Sequence, residues 1–269
     1  MDFSLPIPLQ ALGYSLKIYD KLNSTMDQAW HYALTSNSVH TPGVWFLAHE
    51  QTGARGRQNR FWHSPKGNFY SSLLLVDPAP LSRVPQLCFV TALAIHEALS
   101  SLLIQAHDHP PLRLKWPNDV LIGREKVAGI LIETRHVGKT QNLCVVIGIG
   151  INCIEAPRIE EVRRPATHLS RWIPHISPSK VFHEVSQTLS RHLIFWERGH
   201  CFGSVRQDWL QHAYGLGQSI RMDQTSGSVH GIFSGLDETG RLLCTTASSK
   251  GIIACDSGTL CFLDEDKKD

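Results

Sequence analysis

Residues 115–133 read KWPNDVLIGREKVAGILIE, and this stretch limits the fold more than any other. Two apolar, β-branched runs flank Gly123-Arg124, and glycine at the first of two loop positions suits a type II′ hairpin turn. That turn pairs Ile122 with Glu125 and Leu121 with Lys126. Asp119 and Lys126 then emerge on the same face as diagonal neighbours about 7–8 Å apart at the backbone. Pro117 has no N–H for a ladder bond, so it is expected to end or bulge the strand just before Asn118 and to let that side chain turn inward. An exposed hairpin carrying a surface salt bridge is the plainer alternative. Against it, Trp116, Val120, Val127, Ile130 and Leu131 leave little of the hairpin for water.

The neighbouring segments extend this into a mixed sheet with helices. SLKIYD reads as a strand, and NSTMDQAWHYAL opens a helix. Thr25 with Gln28 makes a capping-box pattern there, and Met26, Ala29, Trp30 and Ala33 share a face. GVWFLAHE and NFYSSLLLV read as strands joined by a loop rich in glycine and arginine. VPQLCFVTALAIHEALSSLLIQ reads as an amphipathic helix carrying Leu87, Val90, Ala94 and Leu102 on its apolar face. NLCVVIGIGIN is a buried strand. Ser177-Pro178 is an N-cap with proline at N1, opening a helix through Trp196 that turns Val181, Val185 and Leu189 inward. From about residue 214 the pattern changes to short strands parted by turns such as DETG. The expectation is α+β, with a first domain over 1–213 and a small β-barrel over 214–269.

At 42% hydrophobic and 19% charged residues, the chain has a globular composition that can bury a core. A net charge of only +2 provides no global field for nucleic acid, so arginines and lysines matter by where they cluster. The seven cysteines are odd in number, lack a C-x-x-C pair and lie mostly in apolar runs, as reduced core cysteines do. The N-terminus has no basic region of the signal-peptide kind, and no apolar run reads as the ~18 residues of a membrane span. A cytoplasmic protein without a membrane partner is expected, and the closing DEDKKD reads as a solvated tail.

GARGRQNRFWHSPKGN places Arg55, Arg57 and Arg60 beside Gly53, Gly56 and Trp62. Arginine forks match phosphate oxygens, glycine lets backbone N–H groups approach them, and an indole can stack on a base or on an arginine. A solvated basic loop or an RNA contact would use the same composition. No P-loop occurs. IGIGIN sets Gly148 and Gly150 on one face of a strand, where the missing side chains admit a ligand or another element. The fifteen histidines show no metal-ligand spacing, HDHPP (107–111) reads as a polar loop, and no nucleophilic triad stands out.

In order, STM (24–26), EQTGARGRQNRFWHSPKGN (50–68), KWPND, KVAGILIE (126–133), GIGIN (148–152) and ATHL (166–169) resemble the biotin protein ligase family. The resemblance implies a catalytic domain related to class II aminoacyl-tRNA synthetases, followed by an SH3-like barrel. It implies that biotin and Mg²⁺-ATP react to biotinyl-5′-adenylate and pyrophosphate, and that a lysine of a biotin carboxyl carrier protein then takes the biotinyl group. By the same resemblance, Ser24, Thr25, Gln51, Lys126, Gly129, Gly148 and Gly150 belong to the biotin site. Arg55, Arg57, Arg60, Trp62, Asn118 and Asn152 belong to the nucleotide site, and no resident metal is implied.

The residue chemistry is compatible with these roles. Bringing a carboxylate to ATP joins two anions, so Lys126, Arg55 and Arg57 are suited to stabilise the charge that concentrates between them. Asp119 is the candidate to orient the incoming lysine or to accept its proton. Two departures from the family's G-R-G-R-x-G loop are Ala54 and Asn59. Asn59 tolerates a left-handed backbone, whereas Ala54 would be strained if a positive φ were required, altering affinity or retention of the adenylate. Some relatives add an N-terminal DNA-binding domain. Here the first motif begins at residue 24, so no DNA partner is expected, while monomer and homodimer both stay open. A lipoate or octanoate ligase on the same scaffold, or a sensor that binds without turnover, are the competing readings.

Overall fold

The computed structural model describes residues 3–36, 42–106, 108–138, 141–158, 165–224, 227–246 and 251–263. The tail at 264–269 and His107 of the HDHPP segment lie outside them. A seven-stranded mixed sheet runs in the order β1 (Ser15–Leu22), β2 (Val44–Gln51), β3 (Phe69–Val76), β7 (Asn142–Ile151), β6 (Glu125–Val137), β5 (Asp119–Ile122), β4 (Leu112–Lys115). β1 and β2 are parallel and joined through helix α2 (Thr25–Thr35); the remaining pairs are antiparallel.

Alternation along the strands decides what each face meets. Val44 and Phe46 of β2, Leu74 of β3, and Cys144 and Val146 of β7 pack under α2 with Met26, Ala29, Trp30 and Ala33. Their neighbours Trp45, Leu47, Leu73, Val145 and Ile147 point to the other face, into a larger core with α3 (Leu87–Leu103), α4 (Pro178–Trp196) and α5 (Phe202–Gln211). A short α1 (Ile7–Ala11) precedes the first strand. Ser177 caps α4 with Pro178 in its first turn, and Val181, Val185, Leu189 and Trp196 are buried as the periodicity predicts.

α3 departs from the amphipathic reading. It is buried nearly all round, at Leu87, Phe89, Val90, Thr91, Ala92, Leu93, Ala94 and Ile95, because α4 and α5 cover what the sheet does not, while Leu102 is only partly covered. The sequence reading also missed that Leu81–Leu103 is long and apolar enough, by length and composition, to cross a membrane. Most of it is buried inside this protein, so the core accounts for that apolar character.

A second sheet has the order β11 (Ile252–Cys255), β10 (Leu242–Thr245), β9 (Gly227–Leu236), β8 (Ser219–Gln224), β12 (Thr259–Phe262), all antiparallel. The segment GIIACDSGTLCFL supplies two of these strands, β11 and β12. Ile220, Met222, Phe233 and Leu242 join the same core as α3 and α5. Trp116 Nε1 donates to Gly240 O at 3.1 Å, and Tyr214 meets Phe262 edge-on at 5.0 Å. Between the sheets the chain passes along β4: Leu114 N–H donates to His212 O, and Tyr214 N–H donates to Leu114 O, both at 2.8 Å. All seven cysteines are free thiols, and Cys144, Cys153, Cys244 and Cys255 are buried.

Candidate active site

The α2 face of the large sheet is only partly covered by α2, and the remainder forms a cavity of about 960 Å³. That size lies within the range of small-molecule sites, roughly 300–1,000 Å³. At the start of α2, Ser24 is the N-cap, its Oγ accepting from Met26 N at 3.2 Å and Asp27 N at 3.4 Å. The cap is therefore one residue earlier than the Thr25–Gln28 pattern suggested, because Thr25 is committed elsewhere. Its N–H donates to Gln51 Oε1 at 2.8 Å, and its hydroxyl accepts from Ser72 Oγ at 2.8 Å. Gln51 Nε2 donates to Ser64 Oγ (3.2 Å), which donates to Trp62 O (3.0 Å). A buried polar chain thus fixes the helix start to the end of the arginine segment.

That segment is not an open loop. Arg55 and Phe61 form an antiparallel bridge, with Gly56 N–H donating to Arg60 O at 2.7 Å and Trp62 N–H to Ala54 O at 2.9 Å. Residues 54–62 therefore make a small hairpin whose tip, Gln58 and Asn59, takes φ of 58° and 56°. Asparagine accepts that conformation with little strain. Ala54 is buried and does not have a positive φ, so the strain expected there is absent.

Trp62 lies across the sheet where two glycines pair, Gly129 opposite Gly150. A Cβ on Gly150 would stand 2.6 Å from Trp62 Cε2, and one on Gly129 3.0 Å from Trp62 Cζ3. The indole can occupy that place because Gly150 has no side chain, and the bare Gly129 keeps the fit from being tight. Gly148, one pleat along, lies under Met26.

In the central hairpin Ile122 faces Glu125 and Leu121 faces Lys126, as predicted, with Gly123 at φ 62°. The register then slips between Val120 and Leu121, so that Asp119 faces Gly129. A bulge of this kind re-aims side chains. Lys126 Nζ sits 2.5 Å from Asp119 Oδ1 and 5.0 Å from the Trp62 ring centroid. The contact is an ion pair without hydrogen-bond angles, since Asp119 Oδ1 counts among the buried atoms lacking a hydrogen-bond partner. Trp62 Nε1 and Asn152 Oδ1, also on the cavity wall, share that condition. Buried polar atoms of this kind call for an explanation, and a polar ligand is one. Pro117 ends the pairing as expected: residues 116–118 form the turn between β4 and β5, and Asn118 Nδ2 donates to Ile130 O at 2.7 Å. Below it, burial pushes the Cys88 thiol up to about 12, and its Sγ lies 3.1 Å from Pro117 O.

All fourteen residues predicted for the site line this one cavity: Ser24, Thr25, Gln51, Arg55, Arg57, Arg60, Trp62, Asn118, Asp119, Lys126, Gly129, Gly148, Gly150 and Asn152. Two supports lie in motifs that carry the family resemblance, 166–169 and 50–68, but had no role assigned there. Residues 165–167 bridge Lys126 in parallel, with Lys126 N–H donating to Pro165 O and Thr167 N–H to Lys126 O, both at 2.9 Å. Asn68 Oδ1 accepts from the backbone N–H groups of Cys153, Ile154 and Glu155 at 2.8–3.2 Å, holding the chain beyond Asn152. A third omission is the small sheet itself. Arg221, Asp223 and residues 258–261 close one side of the cavity, and Arg60 reaches Thr259 Oγ1 at 3.4 Å. What each of them touches lies far away in sequence, so their roles are not announced by any local pattern. No group of three or more His, Cys, Asp or Glu side chains among the described residues is placed to hold a metal ion.

Comparison with known proteins gives the family to which this architecture belongs. Residues 19–152 match the biotin/lipoate A/B protein ligase family, and residues 215–258 match the biotin protein ligase C-terminal domain. The biotin–[acetyl-CoA-carboxylase] ligase of Paracoccus denitrificans is 33% identical over 78% of this chain and 87% of its own length. The bifunctional ligase/repressor BirA of Bacillus subtilis is 31% identical over 88% of this chain and 71% of its own. The Aquifex aeolicus biotin protein ligase, solved in complex with biotin and ATP, superposes with a TM-score of 0.75 at 28% identity, covering 92% of this chain and 98% of that one. The chain belongs to the biotin protein ligase family, and it is a ligase of that type.

Proposed function

We propose that this enzyme activates biotin with ATP to biotinyl-5′-AMP, releasing pyrophosphate, and then transfers the biotinyl group to one lysine of a biotin carboxyl carrier protein, releasing AMP. The observation that carries this reading is the convergence of Lys126, Asp119, Trp62 and the arginine hairpin on one cavity above paired glycines. In the first step a carboxylate oxygen bonds to the α-phosphorus as the bond to pyrophosphate breaks. Lys126 stabilises the negative charge gathered there, with Arg57 and Arg60 on the phosphates. Mg²⁺ enters with the nucleotide as part of the substrate. In the second step the amine nitrogen bonds to the acyl carbon, AMP leaves, and a proton is lost. Asp119 sits where a carboxylate can orient the incoming ammonium. Ser24, Thr25 and Gln51 serve the biotin end, and Trp62, Asn118 and Asn152 the nucleotide.

In the same reading, residues 1–213 are the catalytic domain, of the type seen in class II aminoacyl-tRNA synthetases, and 214–269 an SH3-like module. Seven free thiols suit a reducing, cytoplasmic setting. The test is biotin-dependent ATP–pyrophosphate exchange, with lipoate and octanoate in parallel. Exchange with biotin alone, reduced about 10²–10³-fold in Lys126→Ala, is expected for the loss of one charge-stabilising group. Biotin binding without exchange would mark a sensor, and exchange with lipoate would mark a lipoate ligase.

A further inference from the structure

Arg55 stands apart from the other two arginines of the hairpin. Its Nη1 is 2.6 Å from Asp27 Oδ1, its Nη2 3.1 and 3.3 Å from the two oxygens of Glu133, and its Nε 3.2 Å from Glu133 Oε1. The carboxylates are themselves held: Asn23 Nδ2 donates to Asp27 Oδ2 and Trp30 Nε1 to Glu133 Oε2, both at 2.8 Å. Partial burial works against the Arg55 charge, and the two carboxylates outweigh it, so its pKa is raised. The two carboxylates take up both edges of the guanidinium, Nη1 on one side and Nε with Nη2 on the other. Those donors would have to leave a carboxylate to reach a phosphate, so Arg55 is poorly suited to the phosphate role that the sequence suggested for it.

The geometry instead shows a pin. Asp27 lies in the first turn of α2, Glu133 in β6, and Arg55 at the base of the hairpin whose tip is flanked by Arg57 and Arg60 and whose far end is Trp62. We propose that Asp27 and Glu133 are positioning residues: by gripping Arg55 they hold the 54–62 hairpin over the cavity and so set how long an acyl-adenylate stays bound. This rests on the ligase reading above. A fork gripped at both ends is directional, unlike a lone surface ion pair, and charge-assisted bonds of this kind are about twice as strong as neutral ones.

The pin has a readout that needs no catalysis. Trypsin cuts after arginine only where the backbone can open, so cleavage after Arg57 and Arg60 in the ligand-free protein, followed by mass spectrometry, measures how firmly the hairpin is held. Asp27→Asn and Glu133→Gln keep size and most hydrogen-bonding capacity but remove one charge each. Each is expected to raise cleavage there about tenfold with the thermal midpoint close to wild type, and Arg55→Lys, which keeps charge without the fork, to fall between. In the same preparations, release of pre-formed adenylate should quicken by a similar factor while the rate of its formation at saturating ATP changes less than threefold. Unchanged cleavage in both carboxylate variants would overturn the pin. Faster cleavage with unchanged release would overturn its link to retention. A wild type that forms no adenylate would sink the ligase reading instead, and the cleavage rates would still decide whether the pin exists.

Discussion

At the scale of single residues, the site depends as much on absent side chains as on charged ones. Trp62 can lie beside Lys126 because Gly129 and Gly150 face each other beneath it. Gly150→Ala puts a methyl group 2.6 Å from the indole, closer than real contacts allow, so the ring must move. The variant is expected to lose about 1–2 kcal/mol of stability and to bind ATP roughly tenfold more weakly, the loss of one aromatic contact and its geometry. Calorimetric titration beside a denaturation curve separates the two effects, and an unchanged ATP affinity would show that the ring's place is immaterial to the nucleotide. The neighbouring question of Ala54 is settled by backbone conformation: without a positive φ, alanine is as acceptable there as glycine.

At the scale of elements, sequence and structure agree where the information is local. The type II′ pairing of Ile122 with Glu125, the Ser177-Pro178 helix start and the shared face of Gly148 and Gly150 all follow from patterns a few residues long. What was illegible is tertiary: the bulge after Val120, the parallel bridge at 165–167 and the burial of α3 nearly all round its first half are set by partners far along the chain. So is a contact between α3 and the end of α5, where His96 and His212 stack with ring centroids 3.9 Å apart and planes 28° apart. Burial and then the charge of His212 hold the His96 pKa down to about 4, with Arg113 adding to that and the Leu112 carbonyl and Glu97 opposing it; His212 is lowered as well, chiefly by burial, with Arg113 adding and Asp208 opposing. The folded state therefore binds fewer protons than the unfolded state between pH 6.5 and about 4. Stability should fall as pH drops through that window and level off below it. Allowing for partial exposure, His96 contributes about 2 kcal/mol of this loss. Denaturation midpoints across pH 7.5–4.5 should slope less in His96→Gln, and parallel slopes would remove the pair from the account.

At the scale of the whole molecule, the two sheets share one core. Ile220, Met222, Phe233 and Leu242 pack with the helices of the large sheet, and Gly240 sits so close to Phe89 that a Cβ there would stand 2.6 Å from its ring. Calorimetry is expected to show a single transition whose van't Hoff and calorimetric enthalpies agree, although the sequence reads as two domains. Two resolved transitions would separate them. A single transition also bears on how reactants come and go. A small sheet welded to the core cannot swing like a hinged door, so admission and escape fall to the lightest part of the wall, the nine-residue hairpin that Arg55 moors near its base and Arg60 touches to Thr259.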